Sequence, residues 1–140
     1  MPPKTTKKEI VPWTYQGKTE FKIPPNSIGF VYRIELLESP FYYYYYGKKN
    51  LTSRRGRGKK AVISESNWRI YNSSSVELKS LIKSGKRYRK EILKFCFSKA
   101  ELSYEETKEI ICSNALTDSN CLNKWVTLKV WGHQLKNNSE

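Results

Sequence analysis

The sequence predicts a small α/β (α+β) domain in which a central antiparallel or mixed sheet is flanked by helices. Three observations carry that reading. Two segments of strand character, GFVYRIEL (29–36) and FYYYYY (41–46), are joined by a short Glu-Ser-Pro turn. Further on, two serines are each followed three residues later by a glutamate, the signature of a capped helix start. Two more strand-like runs, EILKFCF (91–97) and KWVTLKVW (124–131), alternate with those helices. At 140 residues the chain suits one domain with a sizeable core rather than two.

Taken in order, residues 1–8 are a basic polar tail. WTYQGKTEFKI (13–23) reads as a small hairpin or flap ending at Pro24-Pro25, so residues 1–28 precede the main domain of residues 29–131. In the first strand Phe30, Tyr32, Ile34 and Leu36 share a face. The tyrosine run suits a half-buried strand and pairs antiparallel with it. Residues 47–60 carry Lys48, Lys49, Arg54, Arg55, Arg57, Lys59 and Lys60 without a single acid, and are expected to form a mobile loop that an anion orders. Ser74-x-x-Glu77 opens a helix with the apolar stripe Val76, Leu78, Leu81 and Ile82, stopped by Gly85. Ser98-x-x-Glu101 opens a second helix, through about Cys112. The run at 124–131 is a last strand, at an edge, and residues 132–140 are a polar tail.

The second helix holds the first chemical candidate. Leu102, Glu106 and Ile110 fall on one face, whereas Glu101, Glu105 and Glu109 form another row. A carboxylate turned inward with apolar neighbours has a partner or a task. The plainer alternative is a flank residue paired with a lysine.

Charge narrows the partners. Lys and Arg number 26 against 13 acids, a net charge of +13, which calls for a polyanion: nucleic acid or an anionic membrane. No apolar run reaches transmembrane length, and MPPKTTKKEI lacks the apolar core of a secretory signal. Nucleic acid inside a cell is the better fit, with no membrane partner. The basic segment 47–60 and Lys86, Arg87 and Arg89 of KSGKRYRK (83–90) are the candidate contacts. Cys96, Cys112 and Cys121 form no CxxC, and His133 is the one histidine, so a zinc site or disulfide framework is not expected and three reduced, mostly buried thiols are.

The segments VYRI and YYG-K together resemble the paired motifs of the GIY-YIG nuclease family. The first triplet stands here as Phe30-Val31-Tyr32 and the second as Tyr45-Tyr46-Gly47. The resemblance runs on through Trp68, Tyr71, Ser73 and Ser74, then KEILKFC, SYEE-x-K, and Asn123 before Trp125. It is greatest to the small stand-alone, homing-endonuclease-like members of tailed phages. The resemblance implies hydrolysis of DNA phosphodiesters, inside the bacterial host, with one Mg²⁺ (or Mn²⁺) per site. Matched residue by residue, Tyr32 helps to activate water, Tyr45 orients water or phosphate, and Lys48 steadies the phosphate. Glu106 holds the metal, Asn123 supports the site, and Tyr71 stands where a histidine is common. Phe30 departs from the family's glycine. The arginine usual after the second motif would fall near Arg54 or Arg55. Lys48 is preferred, which requires Gly47 to break the strand, since strict alternation puts Lys48 opposite Tyr45. Glu105 is a rival to Glu106.

The implied partner is double-stranded DNA, bound by a monomer or homodimer; one site per monomer nicks one strand at a time. Two rival readings explain charge and aromatics as well: a non-catalytic binder that stacks bases on tyrosines, and an RNA- or ribosome-associated protein.

Overall fold

The computed structural model describes residues 11–38 and 42–136. Among the described residues there are six strands: β1 (Trp13–Tyr15), β2 (Gly29–Leu36), β3 (Tyr44–Asn50), β4 (Thr52–Arg55), β5 (Val62–Glu65) and β6 (Tyr88–Cys96). Three helices accompany them, α1 (Val76–Lys83), α2 (Lys99–Cys112) and the short α3 (Gly132–Lys136). The main sheet is mixed, in the order β1-β6-β2-β3, with β1 and β6 parallel and the other pairs antiparallel. β4 and β5 form a separate two-stranded ribbon.

Alternation along β2 sets the layers. Phe30, Tyr32, Ile34 and Leu36 join Trp13, Trp68, Leu78 and Ile92 in the larger core, on the α1 side. Val31 points the other way, onto Cys96 and Leu102, where α2 covers the sheet. Phe30, where the family motif has glycine, is fully buried with its ring centroid 5.0 Å from Trp13 and 6.0 Å from Trp68. Edge-to-face packing of this kind adds about 0.5–1.5 kcal/mol per pair to the burial itself. Trp13 also donates its indole N–H to the Trp68 carbonyl, closing the core from below.

Several sequence expectations are corrected. Residues 124–131 form no strand; Tyr44 makes one isolated bridge to Cys121, and the segment then leaves the sheet edge. The tyrosine-run strand continues past Gly47 to Asn50, and Tyr42 and Tyr43 lie outside it. The expected start at residue 41 lies outside the described residues, as do the tail at 1–8 and residues 137–140 of the expected 132–140 tail, whose residues 132–136 form α3. The basic segment 47–60 is not one loop: residues 47–50 end β3, residues 52–55 pair in register with 62–65 as the ribbon, and 56–60 lie in the turn between them. The first helix is capped by Ser75, whose side chain accepts from Leu78 N, one residue later than the spacing suggested. Ser98 caps α2 as expected, accepting from Glu101 N. Residues 13–15, read as part of a flap, add a parallel edge strand to the sheet. Among the thiols, Cys96 is buried, Cys121 is half-buried and Cys112 is exposed.

One core residue runs against type. Lys90 on β6 is fully buried, donates to the Tyr71 carbonyl at 2.9 Å, and lies 4.5 Å from the centroid of the Trp13 ring, with no carboxylate partner among the described residues. Burial pushes its ammonium down to about 8. The unfolded chain therefore holds this proton more tightly than the folded one between about pH 8 and the ordinary lysine value near 10.4. Unfolding free energy should rise with pH from about 8 towards 9.5, by up to ~3 kcal/mol at the full shift. Lys90→Met should flatten that rise, measured by urea unfolding at pH 7, 8 and 9.5.

Candidate active site at the open edge of the sheet

β3 is the edge strand, so its two faces meet at one rim. On the α1 face, Tyr45, Gly47 and Lys49 follow one another; on the α2 face come Tyr44, Tyr46 and Lys48. Gly47 lies opposite Tyr32 in the pairing. The Tyr32 phenol lies across Gly47 so closely that any Cβ there would overlap Tyr32 Cζ and Oη. Glycine is thus required by the close approach of a ring, not by an unusual turn.

Around that glycine three phenols and a lysine gather. Tyr32 packs against Tyr45 (6.3 Å between centroids) and Tyr71 (6.0 Å), and Lys49 Nζ stands 4.3 Å from the Tyr71 ring centroid. The Tyr45 hydroxyl is 3.1 Å from Ser74 Oγ. Ser73, fully buried, holds a positive φ of 104° and accepts from Ser75 N, turning the chain sharply beneath the cluster. Tyr32 Oη is buried and makes no hydrogen bond of normal geometry, although the Ser73 and Tyr71 side chains adjoin it. Burial, then the neighbouring Tyr71 and Tyr45, hold its hydroxyl well above the ordinary phenol range. Burial likewise raises Tyr45. Tyr32 therefore stands behind the site rather than in it. Because its Oη is unsatisfied, Tyr32→Phe should leave stability unchanged or raise it by ~1 kcal/mol, as thermal melting would show.

On the other face, Glu106 rises from α2 beside buried Leu102 and Ile110, as the helical spacing predicts. It is half-buried and makes no hydrogen bond or ion pair with a described residue. Burial raises its carboxyl above the ordinary range, partly offset by Lys48. Glu105, the rival, is occupied by Lys94 at 2.9 Å. Gly47 does not break β3, contrary to the requirement set for Lys48; that side chain goes to the α2 face and donates to Ser103 Oγ at 2.8 Å.

The two faces nonetheless share one pocket of about 440 Å³ around the rim, lined by Tyr45, Lys48, Ser74, Glu77, Glu106 and Lys124 among others. Asn123 frames it. Its amide accepts from Tyr46 N and donates to Tyr46 O, both at 2.8 Å, so it pins the C-terminal segment to β3 as a surrogate strand partner. Lys124 pairs with Glu77 across the pocket, tying that segment to α1. Asn123→Ala should cost about 1–2 kcal/mol, as two partly buried backbone groups lose their partner, and should loosen the pocket wall; urea unfolding reads the first effect.

The expected site residues thus divide. Tyr45, Lys48, Glu106 and Asn123 line the pocket; Tyr32 and Tyr71 support it from the core side. Lys49 belongs with the tyrosine cluster, a position that strict strand alternation would have given it. Lys124 was missed, and Ser74, marked in sequence as a helix cap and as part of the resemblance, was not expected in the pocket. Of the basic segments, Arg54, Arg55, Arg57, Lys59 and Lys60 are exposed on the ribbon at the Gly29 end of β2. Lys86, Arg87 and Arg89 lie at its Leu36 end, where Glu38 and Glu35 engage the two arginines.

The rim pocket thus lies between the tyrosine-bearing hairpin and a helix glutamate. The family described as "Putative endonuclease segE, GIY-YIG domain" matches residues 13–126. The chain belongs to the GIY-YIG endonuclease family. No curated protein and no solved structure matches it. The GIY-YIG match includes β1 and ends just after Asn123, so it spans every strand of the main sheet and both long helices. A nuclease domain takes nucleic acid as its substrate. Among the described residues no helix is long and apolar enough to cross a membrane.

Proposed function

We propose that this GIY-YIG domain is a divalent-metal-dependent endonuclease acting on double-stranded DNA, with Glu106 as its metal-binding carboxylate. The observation that carries the reading is a half-buried, unpaired carboxylate with a raised pKa, sharing a pocket with Lys48 and Tyr45. Such a carboxylate costs stability unless a cation joins it. Its donor set suits a hard, well-hydrated ion: among the described residues there is no group of three His, Cys, Asp or Glu side chains, and Mg²⁺ binds through one or two carboxylates and keeps several waters. Bound there, Mg²⁺ or Mn²⁺ would supply Lewis-acid stabilisation of charge on the phosphate.

The chain's own groups do the rest. Lys48 holds a phosphate oxygen from the α2 side, and Tyr45 with Ser74 orients the phosphate or the attacking water from the α1 side. Tyr32 and Tyr71 fix the position of Tyr45 by packing. The homing-type, phage-borne role agrees with the segE family name, and one such pocket among the described residues is enough to cut one strand at a time.

Labelled duplex DNA, its separated strand and the equivalent RNA duplex test this reading, each with Mg²⁺ or EDTA. Cleavage of duplex DNA in Mg²⁺ alone is expected. Equal cleavage of RNA, or cleavage surviving EDTA, would overturn it. Salt-sensitive binding with no cleavage would favour a non-catalytic binder.

A further inference from the structure

The β4–β5 ribbon has a shape that phosphate contact alone does not require. It is rooted by buried Leu51, which donates its N–H to Ile28 O and accepts at its carbonyl from Ser66 N. Beyond that root all eight residues of its strands are exposed, including Val62 (64%) and Ile63 (68%). The turn between the strands carries Arg57, Lys59 and Lys60 and bends through Gly56 and Gly58, both at positive φ. Pairing puts Arg55 opposite Val62 and Arg54 opposite Ile63. Ser53, Arg55, Val62 and Ser64 therefore share one face, and Thr52, Arg54, Ile63 and Glu65 the other.

The two faces are not equivalent. Arg54 donates back to Gly58 O at 3.4 Å. The Arg55 guanidinium has no hydrogen bond or ion pair with a described residue. Its face opens onto a groove of about 550 Å³ that also includes Lys49 and Asn67, and Lys49 covers Tyr71 of the tyrosine cluster. Glu65, the one acid in that groove, is engaged by the Trp68 indole and Arg69. The Arg55 face is thus continuous with the α1 face of the active site.

Resting on the reading of the domain as a duplex-DNA nuclease, we propose that this ribbon enters the major groove beside the cleaved phosphate and reads base edges there, with Arg55 hydrogen-bonding guanine and Val62 against a thymine methyl. Two strands about 4.8 Å apart with side chains on both faces fit a major groove about 12 Å wide and not a minor groove about 6 Å wide. A freely presented guanidinium is the commonest donor to guanine O6 and N7, and an exposed β-branched side chain suits the thymine methyl, which only the major groove displays. The turn cations hold the phosphates that flank the groove and fix register without reading sequence.

The test is selection from a randomised duplex pool by the full chain in EDTA, so that binding is read without cleavage. The wild type should enrich a fixed guanine, and substituting 7-deazaguanine there should weaken binding. Arg55→Ala should reduce discrimination at that position by about tenfold or more, the worth of a bidentate contact. Arg54→Ala should weaken all sequences alike and keep the preference. A wild-type pool without base preference, a preference intact in Arg55→Ala, or indifference to 7-deazaguanine would each overturn the assignment. Absence of hydrolysis would fault the nuclease reading alone, because this readout does not depend on it.

Discussion

Glu106→Gln is expected to lower DNA cleavage by about 10²–10³-fold or more, the scale on which removal of a principal charge-stabilising group acts, while the protein becomes no less stable. The two effects separate because the carboxylate has a raised pKa in the fold. A folded-state carboxyl above its unfolded value loses stability as pH rises through that range, so at neutral pH the charge is a burden that glutamine removes. Thermal melting of the two proteins at pH 7 and pH 5 should show any advantage of the variant shrinking at the lower pH. Added Mg²⁺ should raise the melting temperature of the wild type and not of Glu106→Gln, as binding to the folded state alone requires. A structural glutamate would give the reverse pattern: a lower melting temperature in the variant and no response to Mg²⁺ in either protein.

Gly47→Ala should be the most damaging substitution by a single methyl group. The added Cβ would overlap Tyr32 Cζ and Oη, and Tyr32 has no room to retreat, with Trp13 at 5.2 Å and Tyr71 at 6.0 Å between ring centroids. Overpacking a filled core costs about 1–3 kcal/mol, and more where neither side can yield; here a β-strand backbone meets a fully buried ring. We expect a loss of 3 kcal/mol or more in urea unfolding. Tyr32→Phe/Gly47→Ala should not rescue it, since Cζ remains, whereas Tyr32→Leu/Gly47→Ala should recover part of the loss. Full recovery by the phenylalanine pair would place the conflict at Oη alone. Unchanged stability in Gly47→Ala would mean that Tyr32 does not lie across the strand.

The parts of the fold that were legible in sequence are those governed by short-range periodicity. Alternation in GFVYRIEL and the i, i+4, i+8 spacing of Leu102, Glu106 and Ile110 each report which way a side chain faces, and the structure agrees at both. What misled was composition. The cation-rich stretch 47–60 has no apolar stripe, so it read as loop. Yet Thr52–Arg55 pair with Val62–Glu65 across a turn whose glycines supply the needed backbone, and all eight paired residues are exposed. KWVTLKVW failed the other way. It has strand composition, but Asn123 occupies the backbone of Tyr46 with its side chain, and the segment turns away with Trp125 exposed at 79%.

In the site, the pocket at the rim of β3 could not be read from either face alone. Strand alternation separates Lys48 from Tyr45, and only the edge position of β3 lets both reach one cavity. The family resemblance also marks Tyr32 as chemical without revealing that its hydroxyl is sealed in the core; that follows from Gly47, Ser73 and Tyr71 closing round it.

The most direct test of the account is conversion of supercoiled plasmid, followed over time for the wild type with Mg²⁺, the wild type with EDTA and Glu106→Gln with Mg²⁺. The account predicts relaxed circles, then linear DNA, in the first reaction and intact plasmid in the other two. Cleavage by Glu106→Gln at the wild-type rate would contradict it, and would remove Glu106 from the centre of the site.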